Sequence, residues 1–317
     1  MDEFALIRQF FDRSVGDVSV LIGVGDDGAV LSTDAGRKIV TVIDTLVEEV
    51  HFPSSLAAAD IGFRSVAVNL SDMAAMGARP RWMTLALTLD RADERWLQQF
   101  ADGLYDAAGE YGVSLVGGDT TKGGQKVITV SVIGDVDDGK ALTRSGAQVD
   151  DNLYVSGTPG DAATGLSLLQ ENDAGSQEKR YLAARFARPA ARVDLGQSLA
   201  GIASGAIDVS DGLYSDLARL LASSNVGGTL ELDAIPLSAQ LISVAGDESA
   251  LQSALSGGDD YELCFAAPPA HSARIQKLSA ELGVPITRIG CVISGSGLDC
   301  TRGDSPVAYS DAGFTHF

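Results

Sequence analysis

Cysteine is scarce in this chain. Cys264, Cys291 and Cys300 are the only 3 in 317 residues, an odd number with no C-x-x-C spacing. That pattern excludes a disulfide framework and a structural zinc site, and it fits a reducing compartment. Positive charge is also short: 23 Lys and Arg against 43 Asp and Glu leave a net −20, and only 6 of the 23 are Lys. Non-specific binding to nucleic acid or to an anionic membrane surface is excluded as a function class. The 3 histidines, His51, His271 and His316, lie far apart, so there is no H-E-x-x-H zinc site. No apolar run approaches the ~20 residues of a transmembrane helix. The opening MDEFALIRQF lacks the basic-then-apolar order of a signal peptide. A soluble, cytoplasmic protein is expected. Also missing are a G-x-x-x-x-G-K-[ST] P-loop, a G-x-G-x-x-G leading into a helix, the H-R-D and D-F-G kinase motifs and a G-x-S-x-G nucleophile elbow.

What the chain does have is length, core material and aspartate. Its 317 residues suggest two domains at roughly 100–200 residues each. Hydrophobic residues at 45% and charged residues at 21% give the balance of a globular protein. Apolar periods of 2 predict strands at 38–43, 81–89, 113–116 and 127–136, and periods of 3.6 predict helices at 60–76 and 93–111. A short amphipathic segment covers 4–11. Residues 135–151 turn rich in Asp and Gly, which places a boundary between an N-terminal domain 1–138 and a C-terminal domain 139–317. The second half predicts strands at 153–156, 206–209, 228–232, 261–266 and 286–293. Its expected helices are 161–173, 189–204, 213–223, 238–245 and 270–283, with Gly175 to Lys179 as a loop. Both halves therefore read as mixed sheet-and-helix domains, α/β or α+β in class.

Aspartate outnumbers glutamate 32 to 11, and glycine is abundant at 36. The two recur together at the ends of strand-like runs: Gly25-Asp26-Asp27-Gly28, Val42-Ile43-Asp44-Thr45, Gly117-Gly118-Asp119-Thr120, Asp208-Val209-Ser210-Asp211-Gly212 and Gly257-Gly258-Asp259-Asp260. Asp72 joins them from a helix, on one face with Ser65 and Asn69. Any one of these by itself reads as a turn or a helix cap. Their number at strand ends, where open α/β sheets bind ligands, points to a site. Converging carboxylates repel: two unit charges ~4 Å apart cost about 1 kcal/mol in water and ~4 at an effective dielectric of 20. Cations must then sit among them, and an all-oxygen donor set selects Mg²⁺ or Mn²⁺ over zinc. Because such ions bridge carboxylates to phosphates, an acidic pocket of this kind can hold ATP.

The ordered set of segments carries more than any single turn. Gly23 to Leu31, Asp44 to Leu46 with His51-Phe52, Ala67 to Ala78, Gly117 to Thr121, Leu142 to Gly146, Val155 to Gly160, Ala206 to Leu213 and Leu255 to Leu263 follow one another along the chain. In that order they closely resemble the thiamine-monophosphate kinases, within the aminoimidazole ribonucleotide synthetase-like ATP-binding superfamily. The resemblance runs from about residue 3 to the terminal Gly313–Phe317. Its most specific parts are the VNLSDMAAMG and SGGDDYEL runs. It implies that Asp27, Asp44, Asp72, Asp119 and Asp208 hold Mg²⁺ ions and that Asp211 binds a further one. It also implies that Gly118, Asp119, Arg144 and Ser210 contact ATP, and that His51, Asp259 and Phe314 contact thiamine phosphate. No residue is expected as a general base. Where the family commonly has Ser-Thr before the aspartate, this chain has Val42-Ile43, so only backbone carbonyls remain as ligands there. Asp259 stands where Glu is common, one methylene shorter. Phe314 stands where Tyr or Trp also occurs, keeping the stacking surface without a polar handle. A homodimer of two-domain chains, with ATP bound mainly by the N-terminal domain, follows from the same resemblance.

The implied reaction is ATP + thiamine phosphate → ADP + thiamine diphosphate. Its nucleophile is a phosphate oxygen with a second pKa of about 6, already dianionic at neutral pH. That suits a site poor in His and Lys, which works by aligning two polyanions and neutralising charge. The alternative within the fold is another ATP-dependent superfamily enzyme. Selenide activation wants a reactive Cys near a glycine-rich N-terminus, and the first Cys here is Cys264. A hydrogenase-maturation relative wants a C-terminal cysteine tail, and this chain ends Thr-His-Phe. A non-catalytic cation-binding protein is the third reading, separated by whether thiamine phosphate drives ATP consumption.

Overall fold

Residues 6–12, 17–22, 24, 29–173 and 175–310 are described by the structure, a computed structural model. Asp26, Asp27 and Phe314 lie outside them. Residues 1–73 with 78–139 form one compact unit, and residues 74–77 with 140–317 form a second.

In the first unit a two-residue alternation sets up the sheet. The short strands β1 (Val20–Ile22) and β2 (Val30–Leu31) pair with each other. Then come β3 (Arg37–Val47), helix α1 (Ala58–Ala75), β4 (Arg79–Leu89), helix α2 (Glu94–Glu110), β5 (Ser114–Lys122) and β6 (Val127–Asp137). Strands β3 to β6 form one sheet in the order β3-β6-β4-β5, with β4 and β5 parallel and the other pairs antiparallel. On β6, Ile128, Val130 and Val132 are fully buried while the alternating Thr129, Ser131 and Ile133 are not. Helix α2 begins at Asp93, whose carboxylate accepts from the N–H groups of Arg95 and Trp96. Leu97, Phe100, Ala101, Leu104, Ala107 and Ala108 then recur at helical spacing and are all buried. The two helices meet through glycine: a Cβ on Gly103 would lie 1.7 Å from the Ala59 carbonyl oxygen, so only a residue without a side chain permits that approach. On β3, Ile39 and Ile43 stay 52% and 65% exposed, an apolar patch that no described residue covers.

The second unit needs no alternation, because helices are interleaved with its strands and its central strands are buried along their whole length. It contains β7 (Asn152–Ser156), α3 (Asp161–Gln170), α4 (Gln177–Ala187), α5 (Val193–Leu199), β8 (Gly205–Val209), α6 (Leu213–Ser223) and β9 (Gly227–Glu231). After these come α7 (Ala239–Ala245), α8 (Asp247–Ser256), β10 (Glu262–Ala267), α9 (Ser272–Leu282), β11 (Ile286–Ile293), β12 (Gly297–Arg302) and β13 (Ser305–Val307). The seven strands run in the order β13-β12-β9-β11-β7-β10-β8. Every residue of β8 and β10 is buried, as expected of strands covered on both faces.

Both units are mixed sheet and helix, as the sequence predicts. Several elements differ from the prediction. Gln177 to Lys179, expected in a loop, are the first turn of α4, capped by the Ser176 hydroxyl accepting from Lys179 N–H. The Ser-Gln-Glu start of a capped helix was masked by the glycine before it. The helix expected at 189–204 is only Val193–Leu199, and α8, β12 and β13 were not expected at all.

Candidate active site

Two acid turns meet at one end of the second sheet. Strand β8 carries Asp208 and runs into Ser210-Asp211, and β10 emerges from Gly257–Tyr261. The strands are neighbours in the register Leu263↔Asp208 and Glu262↔Val209. Beyond them the pairing continues: Tyr261 N–H donates to the Val209 carbonyl and Asp259 N–H to the Ser210 carbonyl, each at 2.8 Å. Asp208, Ser210 and Asp211, expected on the ATP and metal side, therefore lie beside Asp259, expected on the acceptor side.

Asp216 holds this arrangement from below, and sequence reasoning missed it. It stands in the first turn of α6, 1% exposed. Its Oδ2 accepts from the N–H groups of Ser210 at 3.0 Å and Asp211 at 2.9 Å. Arg219 donates to its Oδ1 at 2.6 Å and also to Asp211. Burial first, then the charges of Asp208 and Asp211, push the Asp216 carboxyl up to about 6 against the pull of the Asp211 N–H and Arg219. An acid four residues after the Asp211-Gly212 turn is the available signal, hidden by its resemblance to an ordinary first-turn helix residue.

In the first unit Asp44 lies on β3, half-buried, and burial raises its pKa while Arg64 opposes the rise. Val42, one of the two positions lacking the family hydroxyl, uses its carbonyl to accept from Ser131 Oγ at 2.8 Å. Asp72 is half-buried on α1 and Asp119 is exposed on β5. Gly118 is required by close approach: a Cβ there would sit 2.0 Å from the Leu85 carbonyl oxygen. His51 follows β3 and accepts the Val47 N–H at Nδ1, 3.0 Å away, which places the ring proton of the neutral form on Nε2.

Not everything predicted comes together. The partners Asp44↔Val130, Val130↔Leu85 and Leu85↔Gly118 run in one row across the sheet. Asp44 and Asp119 are thus on opposite edge strands, three strand spacings or ~14 Å apart. Two short aspartate side chains cannot share one Mg²⁺ across that span at its ~2.1 Å bond lengths. Arg144 is exposed, and its carbonyl accepts from Ser224 Oγ at 3.0 Å. Its backbone is anchored at the far end of the 11-residue α6 from Ser210, about 16 Å along the helix. A cavity of about 470 Å³ in the first unit is lined by Arg79, Arg81, Tyr111 and Ser114 among others, none of them a predicted site residue.

Among the described residues, no group of three or more His, Cys, Asp or Glu side chains forms a ready metal cage. The donors still fit Mg²⁺, which keeps several waters and takes one or two carboxylates together with substrate phosphates. Asp208, Asp211 and Asp216 crowd at one turn, and Arg219 offsets part of that charge through Asp211 and Asp216, so a hard cation there would relieve the remainder.

Two α/β units with acid–glycine turns at strand ends define an AIR synthase-related protein. The family models for the N-terminal and C-terminal domains of AIR synthase related protein match residues 25–136 and 148–302. Within that class, the chain is 43% identical over 319 residues to the thiamine-monophosphate kinase of Salmonella typhimurium, covering 99% of this chain and 98% of that protein. The crystal structure of thiamine-monophosphate kinase from Stenotrophomonas maltophilia K279a matches at a TM-score of 0.88 and 43% identity, over 95% of this chain and 96% of that one. AaThiL complexed with AMPPCP and TMP matches at a TM-score of 0.81 and 29% identity, over 90% of this chain and 89% of that one. The chain belongs to the thiamine-monophosphate kinase family.

Proposed function

We infer that this enzyme transfers the γ-phosphoryl group of ATP to thiamine monophosphate, giving ADP and thiamine diphosphate. The observation that carries the reading is the pairing of the 208–211 turn with the 257–261 turn through the Ser210 and Val209 carbonyls. It puts Ser210 beside Asp259, which on this reading serve the nucleotide and the acceptor, an adjacency that direct in-line transfer needs. The acceptor phosphate is its own nucleophile, so no side chain has to take a proton at the start. Asp44, Asp72, Asp119, Asp208 and Asp211, with Asp27, would hold Mg²⁺, which supplies neutralising charge on the phosphates when bound. Gly118 and Ser210 offer backbone and hydroxyl contacts to the nucleotide, and Arg144 offers positive charge. His51 offers an Nε2–H donor to the acceptor phosphate, Asp259 a carboxylate to its cationic organic part, and Phe314 a stacking face.

A homodimer belongs to this reading, with the chain divided at about 138 into an N-terminal domain for ATP, Mg²⁺ and dimerisation and a C-terminal domain that completes the site. Its support is the separation of Asp44 from Asp119 on opposite edge strands and the exposed Ile39 and Ile43. If β3 of one copy meets β5 of its partner, both edges are paired and the two aspartates are brought to the same seam. A cytoplasmic location fits the three unpaired cysteines, and no helix among the described residues is long and apolar enough to cross a membrane. The test is incubation with γ-labelled ATP and Mg²⁺, with and without thiamine monophosphate. Label should appear in thiamine diphosphate alone. Label held covalently by the denatured protein and released on adding acceptor would sink direct transfer.

A further inference from the structure

The turn at 258–261 has a backbone that costs free energy to hold. Gly258 is at φ 70°, and Asp259 and Tyr261 are at φ 62° and 52° although each carries a Cβ. For a bulky tyrosine that conformation is a genuine outlier, and it persists only where the surroundings over-determine it. Here they do. Asp260, 1% exposed between the two, accepts from Gly160 N–H at 2.7 Å and Ala162 N–H at 3.2 Å, at the start of α3. The N–H groups of Asp259 and Tyr261 are bound to Ser210 and Val209 on the other side. Immediately after, Glu262 is fixed by Arg192, Arg185 and Ser156.

The distortion has one visible product. The Tyr261 ring, 9% exposed, places its hydroxyl 3.1 Å from Asp259 Oδ1, where it donates to the carboxylate. We propose that Tyr261 is a positioning residue for the acceptor: its hydroxyl orients the Asp259 carboxylate toward the cationic organic part of thiamine monophosphate, and Asp260 clamps the turn that makes this reach possible. The inference rests on the acceptor-side role of Asp259 given above. Orienting that carboxylate before the acceptor arrives spares the complex the entropy of fixing it, so the effect belongs in acceptor binding rather than in turnover.

Tyr261→Phe keeps the ring and removes the hydroxyl. Its KM for thiamine monophosphate should rise about five- to twentyfold, with kcat and the KM for ATP within about twofold. In an Asp259→Ala background the same change should add less than about twofold, because there is no carboxylate left to orient. Asp260→Asn should raise the acceptor KM in the same direction while the protein still binds an ATP analogue. An unchanged acceptor KM in Tyr261→Phe, an equal rise for both substrates, or a full-sized effect in the Asp259→Ala background would each overturn the positioning role. The wider reading fails differently. If Asp259→Ala leaves the acceptor KM alone, the carboxylate is not on the acceptor side; if the unaltered enzyme makes no thiamine diphosphate, the activity itself is wrong. Either result takes the positioning role with it.

Discussion

Glu262→Gln tests how the second unit is held together behind the acid turns. The Glu262 side chain is fully buried. It accepts from Arg192 Nε at 2.6 Å, Arg192 Nη2 at 2.6 Å, Arg185 Nη2 at 2.8 Å and Ser156 Oγ at 2.5 Å. Gln keeps the shape and removes the charge, taking from Arg192 its buried carboxylate partner and leaving Arg185 with Asp161, 3.8 Å away. Breaking a buried ion pair from one side costs about 3–5 kcal/mol. For a unit of 150–250 residues that lowers the melting temperature by roughly 6–20 °C. The transition should be followed by circular dichroism, since both tryptophans, Trp82 and Trp96, lie in the first unit and report on it alone. The pH dependence adds a second check. Burial disfavours the Glu262 carboxylate, but Arg192 and then Arg185 outweigh it and hold the pKa below the ordinary 4.5. A depressed folded pKa means the stabilisation is complete above 4.5 and is lost as pH falls through the folded value. The gap between wild type and Glu262→Gln should therefore be widest near neutrality and narrow in acid. A melting shift under about 2 °C at pH 7, or a gap that widens in acid, would refute the argument.

Gly118→Ala should lose ATP-dependent transfer and lower stability, because its Cβ would sit 2.0 Å from the Leu85 carbonyl oxygen; a variant with normal kcat and melting temperature contradicts this. Mg²⁺ with a non-hydrolysable ATP analogue should raise the melting temperature, by about 2.7 kcal/mol at 100 times Kd or roughly 5–11 °C, and a curve indifferent to both together counts against converging carboxylates. Asp72→Asn and Asp119→Asn should stay folded by circular dichroism yet lose transfer, and retained activity in either would remove that residue from the metal set. If the edge strands pair between copies, Ile43→Lys should shift the protein toward monomer in sedimentation, because it places a charge on a side chain 65% exposed in the single chain; an unchanged oligomeric state places the interface elsewhere.

The sequence determined the ingredients and their order. Alternation such as that of Ile128, Val130 and Val132 on β6 selects one buried face, so the sheet could be read locally. Capped helices such as α2 were equally legible, because a cap and its apolar stripe lie within a few turns of chain. Helix α8 was not: its Ala250, Ala254 and Leu255 are too few to mark a period among polar neighbours, and packing rather than propensity makes it a helix. The acid turns stood out by composition and order, and with them the family. Tertiary structure decided which turns meet. The register of β8 against β10 sets Ser210 beside Asp259, and the strand order of the first sheet sends Asp44 and Asp119 to opposite edges. Pairing between distant segments is fixed by long-range packing and hydrogen bonding, which spacing along the chain does not encode. For the same reason Asp216 reads along the chain as an ordinary first-turn helix residue, Asp260 as one more acid of its turn and Glu262 as an ordinary strand residue. What gives each its role is burial beside a partner as much as 106 residues away, as Ser156 is from Glu262, and only the folded chain creates that environment.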